Sequence, residues 1–244
     1  MKVREYLMSR MKNATVHMTL IDPAKQDPGV SANIAFKAEQ LGTDAIMVGG
    51  STDVTQKNLD ETVLEIKKMC KIPVIYFPSG AHAISRYCDA IYFMSMLNSR
   101  NLRNVIGEQV RGAPIIEKLG LETIAMGYVI VEPGMKVGEV GQAELVRRDD
   151  VELAIAYALA AQYMGMELFY LEAGSGAPEP VPVSMIREVK KHISIPLIVG
   201  GGIRTPEDAF AAKNAGANAI VTGTVVENGD FETRLGKIIE AIKK

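Results

Sequence analysis

The chain has 244 residues, 48 % of them hydrophobic and 23 % charged, which is ordinary usage for a globular protein and excludes a disordered or fibrous one. The formal net charge of −2 argues against nucleic acid or an anionic membrane as a general partner. No apolar run reaches the ~18 residues of a membrane span, and no signal sequence is evident, so we expect a cytoplasmic protein. Cys70 and Cys88 form no CxxC or Cys/His cluster, which argues against a disulfide framework or a zinc site.

Short apolar runs alternate along the chain with longer segments of helical periodicity. In chain order the runs are Val16–Ile21, Ala45–Val48, Pro73–Phe77, Ala90–Met94, Thr123–Val131, Leu168–Leu171, Leu197–Val199 and Ala219–Thr222. Each run is almost continuously apolar, as is typical of parallel strands that are covered on both faces. Eight such units, in a length close to the ~250 residues typical of the fold, predict a single (β/α)8 TIM barrel domain over residues 1–244.

The segments between the runs supply helices with recognisable ends. Apolar residues at helical spacing predict helices over 55–69 and 151–164. Thr205 followed by Pro206 is a typical helix start. The stretch 132–150 lacks an apolar stripe, so we expect a long loop after the fifth strand, either a lid or a surface excursion without a role.

The active site of a TIM barrel lies at the carboxyl ends of its strands, and glycine clusters follow the last three predicted strands. Glycine lets backbone N–H groups approach an anion closely, so these clusters predict a phosphate site after strands six to eight. The alternative is that these glycines serve only tight turns. These clusters are Ala173–Gly176, Gly200–Gly202 and Gly223–Thr224.

Two carboxylates have the chemistry of a reaction centre. Asp22 ends the first strand and Ser51 follows the second, so their oxygens could share a Mg²⁺ ion; Asp22 could instead cap a turn, and Ser51 or Asp53 the next helix. Glu172 ends the sixth strand and could serve as a general base or hold a substrate hydroxyl, or it could form a structural ion pair at the rim. Contact of His82 with the mouth is a weaker prediction.

Several of these segments resemble one family, the geranylgeranylglyceryl phosphate synthases and their bacterial relatives that make heptaprenylglyceryl phosphate. The shared segments are Leu20–Lys25 (LIDPAK), Ile46–Ser51, Pro73–Gly80, Tyr170–Gly176 (YLEAGSG) and Ile198–Arg204 (IVGGGIR), and they run in order through nearly the whole chain. The GGGIR segment alone is shared by many phosphate-binding barrels, whereas the combination with LIDPAK and YLEAGSG is specific.

The resemblance implies that sn-glycerol 1-phosphate attacks an allylic prenyl diphosphate to form an ether bond and diphosphate. It implies Mg²⁺ ligands at Asp22 and Ser51. It implies a glycerol phosphate site formed by Tyr170, Leu171, Glu172, Ala173, Gly174, Ser175, Gly176, Gly201, Gly202, Gly223 and Thr224. Glu172, Asp22 and Lys25 are then the expected catalytic residues. It also implies a homo-oligomer.

A prenyl chain requires an apolar groove. Its candidate lining residues on the fourth and fifth strands are Tyr92, Phe93, Met94, Met96, Leu97, Met126, Tyr128, Ile130 and Val131, some of which must be ordinary core. A C20 chain is favoured, with the C35 chain as the alternative. Two further interpretations remain: another phosphate-binding barrel enzyme, such as an isomerase, aldolase or indole-forming synthase, and a barrel that binds a phosphorylated ligand without turnover.

Overall fold

Eight parallel strands close into a barrel in the computed structural model, which describes residues 1–227 and 230–243. The strands are β1 (Val16–Ile21), β2 (Ala45–Val48), β3 (Val74–Tyr76), β4 (Ala90–Met96), β5 (Glu122–Ile130), β6 (Leu168–Glu172), β7 (Leu197–Gly200) and β8 (Ala219–Thr222). They follow one another in sequence order around the barrel, and β8 pairs with β1. The predicted (β/α)8 fold is therefore confirmed.

Helices surround the barrel, and a further helix closes one end. They are α1 (Val3–Asn13), α2 (Pro28–Gln40), α3 (Gln56–Met69), α4 (Glu108–Leu119), α5 (Met135–Val140), α6 (Val151–Tyr163), α7 (Val183–His192), α8 (Pro206–Asn214) and α9 (Phe231–Lys243). A π-helical turn over Arg103–Gly107 leads into α4, and a 3-10 turn over Thr224–Glu227 follows β8. No helix among the described residues is long and apolar enough to cross a bilayer.

Local sequence explains where the predicted helices begin. The hydroxyls of Thr55 and Thr205 each accept the N–H three residues on, from Asn58 and Asp208, whose side chains bond back to the threonine N–H. This reciprocal cap satisfies two backbone donors that a helix start leaves free. Thr55 therefore caps α3, and the alternative cap by Ser51 or Asp53 was wrong.

The barrel interior is filled with large side chains, and α1 covers its lower end. Leu7 and Met11 of α1 belong to the same buried cluster as Met18 and Tyr92 of the strands. The Glu122 carboxylate, at the start of β5, accepts the Val3 N–H at 2.8 Å. Because the strands' amino ends are covered in this way, the carboxyl ends form the open face.

A buried polar cluster lies outside the barrel wall around His17. Its ring nitrogens lie 2.6 Å from the Thr43 hydroxyl and 3.1 Å from the Thr222 hydroxyl. The backbone N–H of His17 donates to the buried Asp44 carboxylate, which also pairs with Arg10 and Lys243. Burial lowers the pKa of His17 from 6.5 to about 3, so the ring is neutral in the folded protein. This arrangement gives His17 a structural role.

The His17 cluster should make the protein sensitive to mild acid. Below pH 6.5 the unfolded chain binds a proton at His17, whereas the folded chain does not bind one until about pH 3. The free energy of unfolding therefore falls as the pH drops across that window. The expected loss from this one group is about 1.4 kcal/mol per pH unit. Urea titrations from pH 7 to pH 4 should therefore show a shallower decline for His17→Gln than for the wild type. The exposed His192→Gln is the control, and parallel declines for wild type and His17→Gln would contradict the expectation.

The stretch 132–150, predicted to be a long loop, contains the short helix α5. Six residues are too few to show an apolar stripe, which is why the helix was missed. The stretch is also well anchored: the Ser99 hydroxyl and the Asn104 amide both donate to the Gly141 carbonyl, at 2.6 and 2.8 Å. The Gly134 N–H donates to the Ala173 carbonyl at 3.1 Å. These bonds favour a fixed wall over a mobile lid.

Candidate active site

Two pockets adjoin at the open face of the barrel. The smaller has a volume of about 370 Å³, part of it open to solvent, at the carboxyl ends of β6, β7 and β8. The larger encloses about 1100 Å³, part of it open to solvent, and extends from the ends of β2 and β3 to α4 and α5. Leu20, Glu172 and Ser175 line both pockets. A ligand in one pocket therefore meets a ligand in the other beside the Glu172 carboxylate.

The smaller pocket has a backbone-rich wall that suits an anion. Gly201 and Gly202 adopt positive φ angles of 78° and 73°, a region that side-chain-bearing residues rarely adopt. On the opposite wall lie Gly223 and Thr224, which follow β8. Backbone N–H groups presented by such turns can surround a phosphate. The position after strands seven and eight is the usual phosphate site of this fold.

The loop 173–176 forms a third wall of the smaller pocket and is held in place from two sides. The Ser175 and Thr224 hydroxyls lie 3.2 Å apart, which joins the loop to the end of β8. The Arg204 guanidinium donates to the Gly176 carbonyl at 2.6 Å. Arg204 itself lines the pocket and brings a positive charge to it. In the sequence Arg204 stood out only as part of a motif, although a cation beside a glycine cluster is a recognisable phosphate signal.

Gly201 is expected to be intolerant of any side chain. A Cβ there would collide with the Glu172 Oε1 atom and lie 2.6 Å from the Gly174 nitrogen. Gly201→Ala should therefore displace the carboxylate and weaken binding of the expected ligand, glycerol phosphate, about tenfold or more, measured by calorimetry. Gly165→Ala is a matched control, because Gly165 has nearly the same φ, 79°, but a Cβ added there would meet nothing within 4 Å. Equal effects of the two substitutions would show that backbone strain alone is responsible.

Glu172 is a buried carboxylate held by three donors. The Gly174 N–H donates to its Oε1 atom at 2.7 Å, and the Tyr170 and Tyr128 hydroxyls also bond to the carboxylate. Burial raises the pKa of Glu172 above its ordinary value, and these hydrogen bonds offset only part of the rise. Among the described residues no cation pairs with Glu172, so the alternative of a structural ion pair at the rim was wrong.

Aromatic rings fix the tyrosines that hold Glu172. The rings of Tyr128 and Tyr170 meet edge to face with centroids 5.1 Å apart, and Phe77 packs on Tyr128 at 5.5 Å. The β5–β6 register places Tyr128 directly beside Tyr170. A Cβ at Gly200 would overlap the Tyr170 hydroxyl, so this glycine makes room for the tyrosine. The carboxylate is therefore preorganised rather than free to rotate.

Asp22 follows β1 and Ser51 follows β2; Ser51 lines the larger pocket, whereas Asp22 lines neither pocket and lies against the backbone of Gly50, the neighbour of Ser51. A Cβ at Gly50 would lie 2.6 Å from the Asp22 carboxyl carbon, so the glycine allows the carboxylate to lie against the β2 turn. The Asp22 Oδ1 atom accepts the Ala24 N–H at 3.0 Å, as the turn-capping alternative expected. Burial raises the pKa of Asp22, an effect that the Ala24 bond and the Lys25 charge only partly offset. The Lys25 ammonium pairs with Glu227 at 2.7 Å and so joins the ends of β1 and β8.

A dedicated metal cage is absent from residues 1–227 and 230–243, since no three His, Cys, Asp or Glu side chains converge there. The donors present are the Ser51 hydroxyl, which lines the larger pocket, and the Asp22 carboxylate, which lies against the adjacent Gly50. Mg²⁺ typically binds through one or two carboxylates and completes its shell with water and substrate phosphates. The pair Asp22 and Ser51 therefore fits Mg²⁺ held jointly with a phosphorylated substrate, and fits a tightly bound structural metal poorly.

The larger pocket continues into an apolar groove. Five of the nine candidate residues line it: Tyr92, Phe93, Met94, Met96 and Tyr128. The other four are core: Met126 and Ile130 pack inside the barrel, and Leu97 and Val131 pack between the strands and the helices. Val137, Val140 and Gly141 of the α5 region cover one side of the groove. His82 instead bonds to the Val54 carbonyl at 3.0 Å, which ties the loop after β3 to the start of α3.

The structure gathers most of the predicted substrate residues into one place. Those that line the smaller pocket are Tyr170, Glu172, Ser175, Gly201, Gly202, Gly223 and Thr224. Gly174 and Gly176 shape the adjoining loop with φ angles of 99° and 79°. Leu171 and Ala173 are fully buried in the layer between strands and helices, so they can contribute to the site through their backbone alone.

The comparisons of this chain with known proteins all identify the same family. The chain matches the PcrB family over residues 8–242. It is 50 % identical over 244 residues to the geranylgeranylglyceryl phosphate synthase of Thermoplasma volcanium, covering 100 % of this chain and 97 % of that protein. It is 50 % identical over 242 residues to the same-named protein of Pyrococcus horikoshii, covering 99 % of this chain and 95 % of that protein. A crystal structure of (S)-3-O-geranylgeranylglyceryl phosphate synthase from Thermoplasma acidophilum, in complex with the substrate sn-glycerol-1-phosphate, superposes with a TM-score of 0.97 at 49 % identity, covering 100 % and 99 % of the two chains.

Proposed function

Because this chain belongs to the PcrB family, we propose that it is a prenyltransferase that joins sn-glycerol 1-phosphate to geranylgeranyl diphosphate and releases diphosphate. The observation that carries the proposal is the meeting of an anion pocket and an apolar groove at one buried carboxylate, Glu172. The names of the relatives and the glycerol phosphate bound in the Thermoplasma acidophilum structure support it.

The pockets suggest how the two substrates lie. The phosphate of glycerol 1-phosphate occupies the smaller pocket, among the N–H groups near Gly201, Gly202 and Thr224 and beside Arg204. The glycerol then points towards Glu172. The prenyl tail lies in the apolar groove of the larger pocket, with its diphosphate near Gly50 and Ser51. Holding both substrates in this orientation contributes much of the rate, because it removes the entropy cost of bringing them together.

Glu172 moves the proton in this scheme. As the glycerol oxygen bonds to the allylic carbon, the carbon–oxygen bond to diphosphate breaks and the glycerol hydroxyl gives its proton to the Glu172 carboxylate. The Tyr128 and Tyr170 hydroxyls and the Gly174 N–H keep the carboxylate aimed at that hydroxyl. Positive character at the allylic carbon favours attack, so only modest activation of the hydroxyl is needed.

A cation is required for the diphosphate. All residues lining the larger pocket lie in the described part of the chain, and none is a lysine or arginine. Mg²⁺ bound by Asp22 and Ser51 would supply the missing charge and stabilise the negative charge that develops on the leaving oxygens. Lys25 stands next to this position, where release from Glu227 would make its charge available to the same phosphates.

One experiment distinguishes between the possible prenyl chain lengths and between the competing functions. Purified protein is incubated with Mg²⁺, radiolabelled sn-glycerol 1-phosphate and, separately, C15, C20 or C35 prenyl diphosphate, and the products are extracted into organic solvent. We expect label in the organic phase chiefly with the C20 substrate; a preference for C35 would indicate heptaprenylglyceryl phosphate synthesis. Binding of glycerol phosphate without transfer for any chain would contradict the proposal and favour another barrel chemistry or a binding protein.

The proposal takes residues 1–244 as one catalytic domain that works in the cytoplasm as a homo-oligomer. Two buried free cysteines are typical of a reducing compartment. Of the side chains in and directly after α6 that could face a partner, Ala156, Ala160 and Met164 are exposed, whereas Ala154, Ala158 and Ala161 are buried within the chain's own fold. A second exposed apolar surface that supports self-association is formed by Leu102, Ile106 and Val110, spaced at four residues along the helical segment before and within α4. Light scattering on the wild type and on Val110→Lys tests the proposed self-association.

A further inference from the structure

The apolar groove of the larger pocket extends, as an inner limb, between the outer side of the barrel strands and the surrounding helices. Phe93 and Ile91 of β4 line it and belong to the packing layer between strands and helices. Ile91 is the second residue of β4, so the limb extends far from the open face towards the amino end of the strand. From Met96 to Ile91 the strand spans about 16 Å, at about 3.3 Å per residue.

One face of the helical segment leading into and along α4 forms the opposite wall of this limb. Asn104, Glu108, Gly112 and Ile116 all line the pocket at a constant spacing of four residues. The wall therefore changes from polar, near the loop after β3, to apolar at its inner end. The Glu108 carboxylate accepts the Ala81 N–H at 2.6 Å and pairs with Arg103 and Arg111, so its charge is satisfied at the outer end.

Neither the backbone conformation nor the packing of the fold requires a glycine at position 112. Its φ angle is helical rather than positive, so the backbone does not need glycine. A Cβ there would lie 3.5 Å from Ile84, 3.6 Å from Ala81 and 3.9 Å from Ile116, which are ordinary packing distances. Glycine is the least favourable helix residue after proline, and α4 already contains Pro114. A residue that weakens its helix and is not required by packing leaves space that another molecule can use.

We propose that Gly112 is a chain-length determinant, which keeps the inner limb open to the distal isoprene units of the prenyl substrate. This inference rests on the proposed function, since it concerns the occupant of the same groove. A side chain at position 112 would project towards Ile84, Ala81 and Ile116, which all line the limb, and would stop a long chain while leaving room for a short one. Distal methylene groups then lose their burial, and binding weakens with each group excluded.

The test compares Gly112→Ala and Gly112→Leu with the wild type on C10, C15 and C20 diphosphates. For Gly112→Leu, we expect kcat/KM with C20 to fall at least about tenfold and kcat/KM with C10 to stay within about twofold. Gly112→Ala should give a smaller change in the same direction. Gly29→Leu is the matched control: Gly29 also lies in a helix, α2, has nothing within 4 Å of a Cβ, and should keep the wild-type ratio.

Calorimetric affinities for unreactive thio-diphosphate analogues of the same chain lengths separate this inference from the proposed function. If the wild type makes no product but Gly112→Leu still loses affinity for the C20 analogue alone, the proposed reaction fails and the groove assignment stands. If Gly112→Leu binds C10 and C20 analogues with the wild-type ratio, or loses both equally, the role of Gly112 is overturned.

Discussion

Glu172→Gln is expected to reduce kcat at least about 100-fold, the scale associated with loss of a positioned proton acceptor. Glutamine has the shape of glutamate, and its carbonyl oxygen can still accept the Gly174 N–H while its NH2 group donates to a tyrosine hydroxyl, but it cannot take the proton of the attacking hydroxyl. The KM for glycerol phosphate should change much less than kcat, because the phosphate contacts remain intact. Steady-state kinetics at saturating prenyl diphosphate measure both constants.

The pH profile gives this prediction a second readout. The carboxylate must be ionised to accept a proton, so activity falls as pH drops through the pKa of Glu172. Because burial raises that pKa, the acidic limb of the wild type should lie above 4.5, the ordinary value for glutamate. The limb should disappear from the residual activity of Glu172→Gln. Glu132→Gln is the control, since this carboxylate follows the neighbouring strand β5 and bonds to the Arg148 N–H. Wild-type kcat in Glu172→Gln would contradict the assignment.

Asp22→Asn is expected to lower activity at saturating Mg²⁺ by about 100-fold and to raise the Mg²⁺ concentration needed for half-maximal rate. The amide oxygen can still accept the Ala24 N–H, so the turn after β1 keeps its shape while the charge on the cation site is lost. Ser51→Ala should have a smaller effect of the same kind, because a neutral hydroxyl contributes less than a carboxylate. Initial rates across a Mg²⁺ titration, with EDTA as the zero point, measure all three proteins.

Asp53→Asn provides the matched control for the Asp22 experiment. Asp53 lies on the same side of the barrel and influences the pKa of Asp22, but its own φ angle of 59° is one that asparagine tolerates well. The control should keep the wild-type Mg²⁺ dependence. If Asp22→Asn and the wild type respond identically to Mg²⁺, the metal is held elsewhere or is not needed.

The elements that the sequence predicted well are those with a local physical signature. Buried parallel strands are continuous apolar runs, which is why all eight were located, and Thr205-Pro206 carries a helix start within two residues. The glycines after β7 could be assigned to an anion pocket because positive φ and close approach both require glycine.

The missed features depend on contacts between distant segments. Tyr128 holds Glu172 only because the register of β5 and β6 sets it beside Tyr170, and register cannot be derived from either strand alone. The pairing of Lys25 with Glu227 requires the barrel to close, since the two residues are 202 positions apart. The sequence did not indicate the groove along α4, because its wall combines polar residues, a glycine and a preceding π-helical turn. Together these give no apolar stripe.

A crystal structure of the protein with sn-glycerol 1-phosphate, Mg²⁺ and an unreactive geranylgeranyl thio-diphosphate would show directly whether the two pockets bring their ligands together for reaction. We expect the attacking hydroxyl about 2.6–3.2 Å from the Glu172 carboxylate and about 3–3.5 Å from the allylic carbon. We also expect the phosphate against Gly201 and Gly202 and the prenyl tail along α4. A glycerol hydroxyl that points away from Glu172, or a prenyl chain outside the groove, would contradict the proposal that the substrates meet at this carboxylate.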